Sequence, residues 1–129
     1  MGKAKILVVD DEDDVRNSII AFLGALGYDS VDFASNADDG VKMAQKKGYD
    51  LVILDMMMPK KSGWGFMEDM KSKKVKTRIL VLSAVGLPNV VREDIKKKYP
   101  NVEFLSKVNI TNQLEDSIND IMKSPAGVI

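Results

Sequence analysis

The sequence predicts a doubly wound α/β domain, a parallel sheet with helices on both faces, and three observations carry that prediction. Short apolar runs, Ile6 to Val9 and Leu51 to Leu54 foremost, are uninterrupted by polar residues, which suits strands buried on both faces. Between such runs lie segments whose apolar residues recur at helical spacing. Several runs also stop abruptly at a polar residue: Asp10 after the first, Asp55 after the third, Ser83 after the fourth. Strands alternating with helices, without a linker or an internal repeat, form parallel sheets.

Composition bounds the function. The 129 residues fit one domain, too short for a catalytic domain plus a regulatory one. Nineteen basic and nineteen acidic residues cancel, so no overall field draws the chain to nucleic acid or a membrane surface. Cysteine and histidine are both absent, which excludes disulfides, thiolate and imidazole metal sites, Ser/His triads and any phosphohistidine within the chain. Carboxylates, hydroxyls and lysines are left to carry the chemistry. The amino-terminal segment turns acidic after a few apolar residues, far short of a signal-peptide core, and a cytoplasmic protein is expected.

The elements follow in order. After the first strand, Val15, Ile19, Phe22, Leu23 and Leu26 line a first helix, and Gly27 stands where a helix C-terminal glycine belongs. Ser30 to Ala34 read as the second strand. Asn36 is placed to cap a second helix over Ala37 to Lys47, with Val41 and Ala44 inward and Gly48 ending it. The third strand, Leu51 to Leu54, ends at Asp55. Pro59 and Gly63 punctuate the next loop, and Phe66, Met67 and Met70 give a third helix its apolar face. Arg78 to Ser83 is the fourth strand. Pro88 opens a fourth helix running through Val91 and Ile95 to Lys98, and Pro100 closes it. Val102 to Leu105 make the fifth strand. Leu114, Ile118, Ile121 and Met122 line a last helix capped near Thr111, and residues 124–129 are expected to fray.

Right-handed crossovers leave few arrangements for five such strands, and the flavodoxin-like order 2-1-3-4-5, a three-layer α/β/α domain, is the common one at this size. Ligands of such sheets gather at the carboxyl ends of the strands where the order reverses, between strands one and three. Those two strands end in Asp10, Asp11 and Asp55. Crowded carboxylates cannot all stay ionised without compensation, and a hard divalent cation is the natural remedy. Magnesium takes carboxylate and water oxygens, whereas zinc and copper would want the absent His and Cys. Asp13 and Asp14 read more simply as acidic residues favouring a helix N-terminus; Asp11 and Asp55 read as metal ligands. On the same edge, Ser83 offers a hydroxyl and Lys107 a mobile cation, a pair suited to a phosphoryl oxygen beside a metal. Singly, each of these residues has an ordinary role at a turn or in solvent. Their alignment on one edge argues for a site.

With those residues placed, the chain resembles the receiver domain of two-component response regulators, and is similar to its single-domain, CheY-like chemotaxis members, from Lys3 to Lys123. The matching residues are the pair Asp10-Asp11, Asp55 in DMMMPKKSG, Ser83-Ala84, Phe104 and Lys107. The resemblance implies one receiver domain over residues 1–129 with its core at 3–123, a phosphorylation-activated switch and not an enzyme acting on other substrates. Asp55 would accept a phosphoryl group from a histidine kinase or histidine phosphotransfer protein. Magnesium would be held by Asp11, Asp55, the carbonyl of Met57 and, through water, Asp10. Lys107, the Ser83 hydroxyl and the Ala84 amide would contact the phosphoryl oxygens. Movement of Ser83 would let Phe104 turn inward and alter the face of the fourth helix, fifth strand and last helix, where a downstream protein would dock. Phe104 reads equally as a partly buried strand aromatic. A monomer or weak dimer, with no direct contact to nucleic acid or membrane, is expected.

Departures from the family are visible. Val108 stands where the family usually has proline, so its usual loop geometry is not assumed there. KKKYPNVEF replaces a small-residue approach to strand five. Met57 and Val85 are apolar at positions that influence hydrolytic water, which predicts a long-lived phosphorylated form. Lys60 and Lys61 read as a solvated loop. Two other classes compete: a haloacid-dehalogenase-like phosphatase with Asp10 as nucleophile, which Glu12 two residues later disfavours, and a receiver-like binding module that is never phosphorylated.

Overall fold

A computed structural model describes residues 4–58, 60–83 and 87–128. Along the chain come β1 (Ile6–Val9), α1 (Asp13–Ala25), β2 (Val31–Ala34), α2 (Ala37–Lys46), β3 (Leu51–Asp55), α3 (Gly63–Ser72), β4 (Lys76–Ser83), α4 (Asn89–Lys98), β5 (Glu103–Ser106) and α5 (Ile110–Ile121). A single 3-10 turn over Lys107–Asn109 precedes α5, and a two-residue strand β6 (Gly127–Val128) follows it. The first five strands are parallel, in the predicted order β2-β1-β3-β4-β5.

The uninterrupted apolar runs have the predicted cause. Alternate residues of each central strand enter two separate cores. Leu7, Val9, Val52, Leu54, Ile79 and Val81 pack with buried residues of α2, α3 and α4, and Ile6, Val8, Leu51, Ile53, Leu80 and Leu82 with those of α1 and α5. Burying each such side chain is worth about 1.5–3 kcal/mol, which makes a polar substitution within these runs prohibitive. Two caps fall where expected. Asn36 Oδ1 accepts from the Asp39 amide at 2.8 Å. Gly27, at φ 95°, closes α1 with a pair of hydrogen bonds, Gly27 N to Gly24 O at 3.0 Å and Tyr28 N to Leu23 O at 3.0 Å.

Several boundaries differ from those the sequence predicts. β4 starts two residues early, at Lys76, and β2 one residue late, at Val31. β5 starts at Glu103 because the Val102 amide turns back to Tyr99 O and closes the turn after α4. The last helix is not capped at Thr111. Ser106 caps the 3-10 turn that leads into it, its Oγ accepting from the Val108 amide at 3.3 Å. A proline at 108 has no N–H to give, and no cis peptide bond occurs among the described residues. The tail does not simply fray. Lys76 and Thr77 project beyond the points where β3 joins β4 at Arg78 and β5 joins at Leu80, and β6 pairs antiparallel with those two residues.

Candidate functional site

Strand register assembles the site. Val9 pairs with Leu54, so the next residues, Asp10 and Asp55, come abreast where β1 and β3 end. Asp10, Asp11 and Asp55 each place a carboxylate oxygen within 4.8 Å of the others. Burial is nearly complete for Asp10 and Asp55, at 1% and 2% exposed, while Asp11 is half-buried. Opposite them, Ser83 of β4 pairs with Ser106 of β5, and the next residue, Lys107, reaches back over the crevice. Its Nζ lies 3.1 Å from Asp10 Oδ2, 3.5 Å from Asp55 Oδ2 and 3.3 Å from Glu12 Oε1.

One cation among these carboxylates is not enough. Burial pushes the Asp55 carboxyl up to about 6; the Asp10 charge adds to this, and the Met57 amide and Lys107 oppose it. Burial alone would push Lys107 down, but the charges of Asp55 and Asp10 outweigh it and hold the ammonium above its ordinary range. The deficit of positive charge is shared by the acids. Asp10 Oδ2, Asp11 Oδ1 and Asp55 Oδ2 are buried and accept no hydrogen bond from the described residues; Lys107 meets two of these oxygens only as an ion pair. Buried carboxylate oxygens without hydrogen bonds, sharing one ammonium, are costly, and a hard cation is the partner that they fit. Their other oxygens are occupied: Asp10 Oδ1 accepts from the Glu12 amide at 2.9 Å and Asp55 Oδ1 from the Met57 amide at 3.1 Å.

The remaining predicted residues divide. Ser83 is buried and lines, with Leu87, Arg92, Phe104, Leu105 and Ser106, a cavity of about 70 Å³. Phe104 is half-buried, pairs with Val81 and packs on the α2, α3 and α4 side. The Met57 side chain is 74% exposed, and only its amide touches Asp55. Ala84, Val85 and Pro59 lie outside the described residues. Lys61, read as solvated, is half-buried instead and joins Asp38 of α2 to Asp69 of α3.

Two participants escape a reading by strand ends. Glu12 shares Lys107 with the acids. Arg16 is buried behind Asp10, donating to its carbonyl. The signal for Arg16 was present: it shares the helical stripe of Ile19 and Leu23, where a charge needs a buried partner.

Fold and site define a doubly wound domain whose strand-end crevice combines buried carboxylates with a lysine, a phosphoacceptor arrangement. The chain belongs to the response regulator receiver domain family, whose model matches residues 6–119. That family consists of phosphoacceptor signalling domains of two-component systems, not catalytic enzymes, and the phosphatase reading is not favoured. Among relatives, the transcriptional regulatory protein DltR of Streptococcus agalactiae is 40% identical over 114 residues, 82% of this chain and 50% of that protein. Transcriptional regulatory protein ResD of Bacillus subtilis is 37% identical over 85 residues, 66% of this chain and 35% of that one. The chain thus spans half the length, or less, of these relatives. Among solved structures, the Vibrio cholerae chemotaxis protein CheY4 is 27% identical with a TM-score of 0.79, covering 93% of this chain and 99% of that one. The receiver domain of NarL from Mycobacterium tuberculosis, at 23% identity and TM-score 0.82, shares the fold over 96% of this chain and 99% of that one. No helix among the described residues is long and apolar enough to cross a membrane.

Proposed function

We propose that Asp55 is the phosphoacceptor of a magnesium-dependent signalling switch, and that the buried oxygens of Asp10, Asp11 and Asp55, which accept no hydrogen bond from the described residues and have only the ammonium of Lys107 among them, are the observation that carries this reading. Asp11, Asp55 and the Met57 carbonyl would hold the ion, with Asp10 acting through water. Bound there, magnesium would offset carboxylate charge and draw negative charge from phosphoryl oxygens. The chain's own part is positioning. The Met57 amide holds Asp55 Oδ1 and leaves Oδ2 facing Lys107 without a hydrogen bond. An Asp55 oxygen attacks phosphorus, the P–N bond of a donor phosphohistidine breaks, and its electron pair returns to the imidazole nitrogen. Lys107 is aimed at the oxygens that gain charge, and Ser83 with the Ala84 amide would contact them.

The cavity between Ser83 and Phe104 gives Phe104 room to move once Ser83 is drawn toward the phosphoryl group. The face of α4, β5 and α5 would then signal to a downstream protein, and a histidine kinase or phosphotransfer protein would supply the phosphoryl group. We place the domain in the cytoplasm as a monomer or weak dimer, without direct contact to nucleic acid or membrane. A phosphatase based on Asp10 fits poorly, since the aspartate such an enzyme would use two residues further on is Glu12 here, and the receiver family model covers residues 6–119. Intact-mass spectrometry after incubation with acetyl phosphate tests the proposal. It predicts a single phosphoryl adduct that needs magnesium and is absent from Asp55→Asn. An adduct that persists in Asp55→Asn and disappears in Asp10→Asn would reverse the assignment.

A further inference from the structure

We infer that Arg16 is a positioning residue for the acidic cluster, its guanidinium fixing the turn from Asp10 to Asp13 so that Asp10 and Asp11 face Asp55 in a geometry ready for a divalent cation. The inference rests on the magnesium reading above. Arg16 is 6% exposed, and a buried charge persists only where partners are built around it. Its Nη1 donates to the carbonyl of Asp10 at 3.2 Å and to Ser35 Oγ at 3.3 Å. Nη2 lies 2.8 Å from Asp13 Oδ1, and Cζ stands 4.5 Å from the centre of the Phe33 ring. One planar group therefore ties the end of β1, the first turn of α1, β2 and the approach to α2.

What it grips matters most. The Asp10 carbonyl belongs to the peptide that leads into Asp11, so fixing that oxygen fixes the direction in which Asp11 leaves the strand. The same turn is held from its other side, where Asp10 Oδ1 accepts from the Glu12 amide and the Arg16 amide donates to Glu12 O at 2.9 Å. Both acids are thus oriented before any ligand arrives. Charge is not the main contribution, because Asp13 pairs directly with the guanidinium and leaves the pair nearly neutral as seen from the cluster. A lysine could keep the charge but not the fork, since one ammonium cannot reproduce planar donors aimed at three acceptors.

The test measures the magnesium dissociation constant by titration calorimetry for wild type, Arg16→Lys, Arg16→Met and Ser35→Ala, each verified as folded by circular dichroism. Both Arg16 variants should bind magnesium about tenfold more weakly, with a smaller loss in Ser35→Ala, as partners that orient metal ligands do. Acetyl phosphate labelling of the same variants should recover toward the wild-type rate at saturating magnesium, which separates positioning from damage to Asp55. Wild-type affinity in Arg16→Lys, or tighter binding in Arg16→Met, would show that charge and not the fork matters and would overturn the inference. Should the Arg16 variants fail to fold, Ser35→Ala decides, because Ser35 is exposed and its loss removes one contact. Unchanged affinity there overturns the inference alone; absence of saturable binding in wild type overturns the magnesium reading and the inference together.

Discussion

Asp55 carries a cost that its chemistry explains. Its folded-state value of about 6 lies above the ordinary 3.8, so the folded protein binds a proton that the unfolded chain has already released. Stability from this group is therefore present in full below about pH 4 and is lost as pH rises through about 6. Without divalent cation, Asp55→Asn should be more stable than wild type at pH 7 by about 2 kcal/mol, and the gap should close below about pH 4. Denaturant unfolding at several pH values, in the presence of a chelator, checks this. At this scale the sequence was most informative where a residue contradicts its surroundings. Asp10, Asp55 and Ser83 each end an apolar run, and such interruptions are visible without coordinates. Arg16 is easily passed over although it shares the stripe of Ile19 and Leu23, because an arginine on a helix ordinarily faces solvent; Glu12, exposed at the N-cap of α1, meets Lys107 only across the fold. Lys61 reads as solvated in the sequence because its two partners, Asp38 and Asp69, come from different helices that only the fold brings together.

Elements hold these residues in place through a few close approaches. The start of α3 lies against the end of β3, with the Gly63 amide bonded to Met56 O at 3.1 Å. A Cβ on Gly63 would sit 2.5 Å from Met56 Sδ, 3.0 Å from Met56 Cα and 3.2 Å from Asp55 O. The thioether can swing away; the backbone cannot. Gly63→Ala should cost about 1–3 kcal/mol of stability in denaturant titration and slow labelling of Asp55, since relief of the clash moves the strand end that carries the carboxylate. Between α3 and α4, the fully buried Tyr99 hydrogen-bonds Glu68, which Lys98 also pairs. The KKKYP stretch that departs from the family thereby gains a role, anchoring the end of α4 from which β5 departs. Strands and helices were legible because their periodicities differ. Their ends were less so: the start of β5, the cap at Ser106 and the pairing of β6 depend on hydrogen bonds made across the fold.

For the molecule as a whole, balanced charge hides a concentrated site. Net charge is zero, yet three carboxylates meet at one edge of the sheet, where Lys107 pairs with two of them. A ligand that binds only the folded state adds RT ln(1 + [L]/Kd), so magnesium at a hundred times its dissociation constant should stabilise the domain by about 2.7 kcal/mol. Thermal unfolding with and without magnesium measures this directly. The rise in Tm should be lost in Asp11→Asn, whereas a rise that survives there would place the ion elsewhere. The five-stranded parallel architecture was legible, because β/α alternation and right-handed crossovers leave few other ways to wind five strands. The proposed switch from Ser83 to Phe104 is suggested only by the resemblance, since an aromatic such as Phe104 does not contradict its surroundings in a strand.

The central claim is that Asp55 becomes an acyl phosphate, and borohydride reduction followed by peptide mapping tests it most directly, because an aspartyl phosphate is reduced to homoserine at the modified position. After incubation with acetyl phosphate, homoserine is predicted at position 55 when magnesium is present and not when it is chelated. Homoserine at position 10, or conversion at 55 that is indifferent to magnesium, would contradict the account.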